Sequence, residues 1–151
     1  MFDIIRCEAD APSLGFSKLY SLDEARARIA EAEDLSDAAA RFKNKKTLIL
    51  LKDHSLDDGA MRLIAEKKSA CFLIDLGRLM KVRGVPRAIA ISKLRSFLAQ
   101  CLKHKAFYAF ASLAENENQL RTPQELEHIA MLLGINRGQA RFALKMVGEY
   151  L

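Results

Sequence analysis

Asp53, His54, Asp75, Ser112 and Glu115 are the residues of this chain whose types could do chemistry together. Each falls at or just past the end of a short apolar run that reads as a β-strand. In parallel α/β folds, reactive groups gather at those carboxyl ends. Carboxylates with an imidazole suit zinc or manganese, and a metal held there would turn a bound water into a nucleophile. A small metal-dependent phosphoesterase using Asp53, His54, Asp75 and Glu115 is therefore one reading. The pattern behind it is thin. The chain has three histidines, at positions 54, 104 and 128, and no two have ligand spacing. The first run offers Asp3 and Glu8 but no histidine. Asp53-His54-Ser55 serves equally well as the turn into a helix that starts at Leu56. His104 closes a basic helix, where it is solvated or complements the dipole, and His128 lies on a helix, at a surface or an interface. The glycines occur singly, so no phosphate loop or dinucleotide fingerprint can be built. Cys7, Cys71 and Cys101 are odd in number, far apart and without zinc-knuckle spacing. They read as small buried thiols of a reducing, cytoplasmic setting.

The elements that must position these groups follow from apolar patterning. Candidate strands are 2–7, 16–20, 47–51, 70–76 and 106–112, with 16–20 the weakest. Thr47–Leu51 and Cys71–Ile74 are continuously apolar, as strands buried on both faces of a parallel sheet are. Helices are expected near 22–42, 56–68, 86–104, 123–133 and 137–150. Ser21 with Glu24, Ser55 with Asp58, Thr122 with Glu125 and Asn136 with Gln139 have capping-box spacing, in which each side chain satisfies an orphan amide of the first turn. Pro123 sits at a first helical position, and Gly134 falls where a left-handed turn ends a helix. The alternation of strand and helix predicts right-handed βαβ units and a parallel sheet. An eight-fold barrel takes roughly 250 residues. At 151 residues the chain holds about five parallel strands with helices outside, in one domain spanning 1–151. An incomplete barrel or an open α/β sheet remains.

Composition narrows the class further. Half the residues are hydrophobic and there are only 7 Gly and 3 Pro, which excludes a disordered or fibrous chain. No apolar run reaches the roughly 20 residues of a membrane span, and the N-terminus lacks a signal-peptide layout. Net charge is +5, but unevenly spread. Residues 1–40 carry 4 basic and 9 acidic side chains, residues 41–110 carry 16 and 5, and residues 111–151 carry 4 and 5. A central block of +11 is the footprint of a nucleic-acid contact, weighed against a set of solvated helix faces. Arg78, Lys81, Arg83 and Arg87 lie in and around a loop with Gly84 and Pro86, and Lys93 and Arg95 continue along the next helix. These six are the candidate phosphate contacts. Few exposed aromatics accompany them, so backbone- and shape-directed contact with folded RNA suits them better than base stacking. A further alternative is a protein-interaction module without RNA affinity, whose acidic first 40 residues dock a basic partner.

Several stretches, in order, carry a family resemblance. Lys67-Lys68-Ser69-Ala70-Cys71-Phe72-Leu73-Ile74-Asp75-Leu76 is followed by Leu79-Met80 and Arg87. A long helix ends in Leu102-Lys103-His104-Lys105 and leads into Ala106–Ser112, with Ala114 just beyond. Leu120-Arg121-Thr122-Pro123-Gln124-Glu125-Leu126 comes next, then Leu133-Gly134-Ile135 and Ala140. In these stretches the C-terminal two-thirds resembles archaeal ribonuclease P protein component 3. The family's Leu-Arg-Pro-Leu-Leu stands here as Leu76-Gly77-Arg78-Leu79-Met80, with the arginine one place later, and the N-terminal portion is shorter than the family's.

The resemblance implies a reduced TIM-type (β/α) barrel and a non-catalytic role. In ribonuclease P of this type the RNA subunit removes the 5′ leader from precursor tRNA with Mg²⁺. The protein supports that RNA together with protein component 2 and further ribonuclease P protein subunits. No metal or other cofactor is then expected on this chain. Arg121 reads as structural, pairing with a carboxylate at a strand end, or as an RNA or partner contact. A barrel lacking units would leave an edge to be covered by a partner or by self-association.

Overall fold

The structure is a computed structural model describing all 151 residues. Six strands, all parallel to their neighbours, alternate with helices. They are β1 (Phe2–Ile5), β2 (Lys18–Ser21), β3 (Ile29–Ala32), β4 (Leu48–Leu51), β5 (Cys71–Asp75) and β6 (Phe107–Ala111). The helices are α1 (Ala11–Leu14), α2 (Leu22–Ala25), α3 (Leu35–Phe42), α4 (Asp58–Lys67), α5 (Leu76–Lys81), α6 (Gly84–His104), α7 (Pro123–Met131) and α8 (Arg137–Tyr150). Strands β3-β4-β5-β6 form one sheet in sequence order, and β1-β2 form a second. The two meet where β1 ends beside β6: the Leu113 amide donates to the Ile4 carbonyl (3.0 Å) and the Arg6 amide to the Ala114 carbonyl (2.7 Å). No strand pairing joins β2 to β3, so the hydrogen-bonded ladder does not close.

Alternation along the strands builds two cores. Ile49 and Leu51, Phe72 and Ile74, and Tyr108 and Phe110 face the helices in a cluster of 31 buried residues. Leu48, Cys71, Leu73, Ala109 and Ala111 face the other way, into a cluster of 11 with Ile4, Ala25 and Leu113. Helix α8 serves both, with Ala140, Ala143 and Leu144 in the larger and Met146, Val147 and Tyr150 in the smaller. Full burial of a side chain such as Phe72, Phe97 or Phe110 contributes about 1.5–3 kcal/mol. Cys71 and Cys101 are fully buried and Cys7 half-buried, all three as free thiols.

Three local expectations change. The segment expected as one helix over 22–42 is α2, a short 3-10 turn, strand β3 and α3. Its alanines and charges favour helix locally, but the free edge of β4 recruits Ile29–Ala32 as a sixth strand. The stretch after β5, expected as loop, is α5, because the Asp75 carboxylate caps it by accepting from the Arg78 amide (3.0 Å). Helix α4 is capped by Asp57, which accepts from the Ala60 amide (2.9 Å), rather than by Ser55. The Ser21, Thr122 and Asn136 boxes form as their spacing implies, and Gly134 takes the left-handed φ of 82°.

Candidate nucleic-acid interface

A cleft of about 460 Å³ opens at the carboxyl ends of β3, β4 and β5. Its floor is apolar, from Leu50, Leu51, Ile74, Leu79 and Leu94. Its rim carries Lys52, Arg78 and Lys93 against Glu31, Asp53 and Asp75. Lys52 pairs with Glu33, and Lys93 lies 3.6 Å from Asp53. Asp53 also accepts from Ser55, and these two partners, Ser55 first, hold its carboxyl below the usual range. His54 stands edge-on to Phe97, ring centres 4.9 Å apart. Burial, then the nearby positive charge of Arg78, pulls its pKa down to about 4, so the ring is neutral at physiological pH. Burial raises the Asp75 carboxyl.

Of the set weighed for metal chemistry, Asp53, His54 and Asp75 do line this cleft. Glu115 does not join them. It is held by Lys81 (2.9 Å) and Arg6 (3.4 Å), and the Lys81 hydrogen bond keeps its carboxyl below the usual range. No three His, Cys, Asp or Glu side chains converge on a point where a metal ion could sit. Ser112 is turned inward onto Asp3. His104 is not free in solvent but bonds Asp58 (3.0 Å).

The six candidate phosphate contacts separate by partner. Arg78 is exposed on α5 and lines the cleft beside Lys93. Arg83 is exposed at the start of α6, and Arg87 is half-buried in its first turn. Arg78, Arg83 and Arg87 have no carboxylate partner, whereas Lys81 and Lys93 do. Arg95 donates through Nε to the Leu132 carbonyl (2.8 Å), tying α6 to the end of α7. Arg121 meets no carboxylate: it donates to the carbonyls of Asn118 (2.9 Å) and Leu120 (2.6 Å) and so braces the turn before α7. The 21-residue α6 contains no Asp or Glu at all, so the charged side chains on its surface are all cationic. Lys52 and Glu31 belong to the cleft as well. The signal for Lys52 was its place directly after an apolar strand; for Glu31 it was hidden inside a segment that reads as helix.

The acidic first 40 residues are largely spent on the fold. Asp10, Asp34 and Asp37 accept backbone amides at helix starts, Glu24 closes a capping box, and Asp3 is buried.

Fold and cleft together define a parallel α/β protein whose carboxyl-end cleft sets three cations against three carboxylates, beside arginines that have no carboxylate partner. No family model matches the chain, and no curated protein matches it either. Among solved structures it is similar to a chain in the cryo-EM structure of archaeal ribonuclease P with mature tRNA. The TM-score is 0.76 at 16% identity, covering 99% of this chain and 89% of that one.

Proposed function

We propose that this chain is a protein subunit of an archaeal-type ribonuclease P, holding folded RNA through its cations while the RNA carries out cleavage of precursor tRNA. The likeness of nearly the whole chain to a chain of that ribonucleoprotein is the observation that carries the reading. Arg78, Arg83 and Arg87, free of carboxylates, are the first phosphate contacts in this reading; Lys81 and Lys93 exchange their carboxylate partners for phosphate, and Arg95 and Arg121 act mainly as braces. The architecture is read as a reduced (β/α) barrel in the order β2-β1-β6-β5-β4-β3. Val85 (71% exposed) and Ile89 (53% exposed) offer apolar surface next to these cations for a protein partner, which we take to be component 2. Mg²⁺ belongs to the RNA in this reading. The test is purification of the tagged chain from its native cell, followed by sequencing of the bound RNA and identification of bound protein. Ribonuclease P RNA and component 2 should co-purify; recovery of neither overturns the proposal.

A further inference from the structure

The central basic block does not lie on one surface. An exposed cation precedes every strand of the four-stranded sheet: Arg28 before β3, Lys46 before β4, Lys68 before β5 and Lys105 before β6. The strands are parallel, and the register sets Ile29 against Leu48, Leu48 against Cys71 and Cys71 against Phe107. The four cations therefore stand in a row along the amino end of the sheet, opposite the cleft. Three strand spacings make that row about 14 Å long. Exposed Lys45 and Lys67 thicken it. None of these six has a carboxylate partner among the ion pairs of the chain. Asp58, which α4 brings against the end of α6, is taken by Lys103, Gln100 and His104. Glu149 precedes Tyr150, whose ring lies 5.7 Å from the Lys46 ammonium, yet pairs with none of the six.

Helix dipoles explain only part of this row. Helices α3, α4 and α6 end here, and Lys68 and Lys105 are C-caps in left-handed conformation. Each helix end is equivalent to about −0.5 charge. Three ends offset about 1.5 of six positive charges, leaving an excess of more than 4. Exposed Leu63 and Leu102 lie one turn back from Lys67 and Lys105, fewer apolar groups than the core of a protein interface takes, and no exposed aromatic offers a stacking platform. Point-charge ammoniums without base-reading groups suit a phosphate backbone.

We infer that this amino-end ridge is a second phosphate-backbone contact for folded RNA, separate from the carboxyl-end arginines. It rests on the RNA reading above but uses different residues. The test compares the full wild-type chain with two variants, Arg28→Gln/Lys46→Gln/Lys68→Gln/Lys105→Gln and Arg83→Gln/Arg87→Gln. Binding of a transcribed precursor tRNA is measured against salt, with thermal melting as the folding control. Neutralising the ridge should weaken binding at moderate salt tenfold or more. It should also reduce the slope of log affinity against log salt by about 3 to 4, near 0.9 for each phosphate that the variant leaves unneutralised. Should the quadruple variant melt early, Lys46→Gln/Lys105→Gln carries the test with about half that change of slope. Unchanged affinity and slope overturn the ridge, as does failure of the wild-type chain to bind the RNA. If the ridge variant weakens binding and the Arg83/Arg87 variant does not, the ridge stands and the carboxyl-end assignment falls. Abolished binding to phosphatidylserine vesicles with unchanged RNA binding makes the ridge a lipid contact and overturns the inference.

Discussion

Asp3 and Ser112, 109 residues apart in the chain, share two hydrogen bonds in the buried seam between β1 and β6. The Ser112 amide donates to Asp3 Oδ1 (2.7 Å) and its hydroxyl to Asp3 Oδ2 (2.6 Å). The Ile4 amide donates to Oδ1 as well (2.8 Å). One carboxyl thus joins the first strand to the last, at the only place where the two sheets exchange hydrogen bonds. Burial pushes its pKa up to about 6 despite these donors, with nearby Asp75 adding to the rise.

That shift sets a pH signature. The pKa of Asp3 is raised above its ordinary 3.8, so its contribution to stability is present below about pH 4 and lost as pH rises through 6. His54 runs the other way. Its pKa falls from 6.5 to about 4, so its contribution is present above pH 6.5 and lost as pH falls through 4. Each amounts to on the order of 3 kcal/mol, and in the wild type they largely cancel. Relative to wild type, Asp3→Asn should gain stability as pH rises from 4 to 6, and His54→Gln should lose it. Urea unfolding across that range checks this, and parallel trends in the two variants would refute it.

Gly77 makes the closest approach next to this seam. A Cβ there would lie 2.0 Å from the Ser112 carbonyl oxygen, a backbone atom that cannot rotate away. Gly77→Ala must therefore push α5 off β6, and a loss of 3 kcal/mol or more is expected, about the upper range for single substitutions. Gly59→Ala is the contrast. Its Cβ would meet only the Asp57 side chain at 3.5 Å, and removing a helical glycine should stabilise by up to about 1 kcal/mol. Guanidinium unfolding of both variants decides; equal effects would contradict the geometry.

The parallel α/β class and five of the six strands were legible because continuous apolar runs and capping pairs are local signals. Strand β3 was not, since Ile29-Ala30-Glu31-Ala32 carries little β propensity and is a strand only because β4 offers it a ladder. Arg78, Arg83 and Arg87 could be singled out by charge density, but spacing could not show that Arg95 and Arg121 turn to carbonyls. The amino-end row was invisible for a related reason. Its members lie 18, 22 and 37 residues apart, and only the register of a parallel sheet aligns them. Asp3 looked like a lone acid because its partner lies at the other end of the chain.

Glu127 shows how α7 and α8 are held. It is fully buried, yet Arg137 and Arg141 each reach it through Nε at 2.9 Å. The arginines are half-exposed while the carboxylate is not, so removing the acid costs little solvation and leaves the guanidiniums in water. Removing both arginines takes away both hydrogen-bonding partners of the carboxylate together with its cover. Arg137→Ala/Arg141→Ala should therefore destabilise by about 1–3 kcal/mol, as loss of charged hydrogen-bond partners does, and Glu127→Gln by less. Chemical denaturation gives the order; the reverse order would mean that the carboxylate left without its arginines is not the main cost.

Arg83 and Arg87 carry the sharpest prediction for the carboxyl-end face. Both stand at the start of a helix that has no acidic residue, and neither has a carboxylate to release before meeting a phosphate. Lys81 and Lys93 must first give up Glu115 and Asp53, which offsets part of any gain. Charge reversal at Arg83 and Arg87 together should thus weaken binding of a precursor tRNA more than reversal at Lys81 and Lys93. In the proposed contact each arginine displaces counterions from a phosphate, so the salt slope should fall by about 2 with the arginine pair. Stability should change little, because Arg83→Glu and Arg87→Glu break no ion pair and the first turn of a helix favours acidic side chains. Filter binding over a salt series, with melting curves alongside, measures all three effects. Equal losses from the two pairs would mean that the ion pairs do not restrain the lysines.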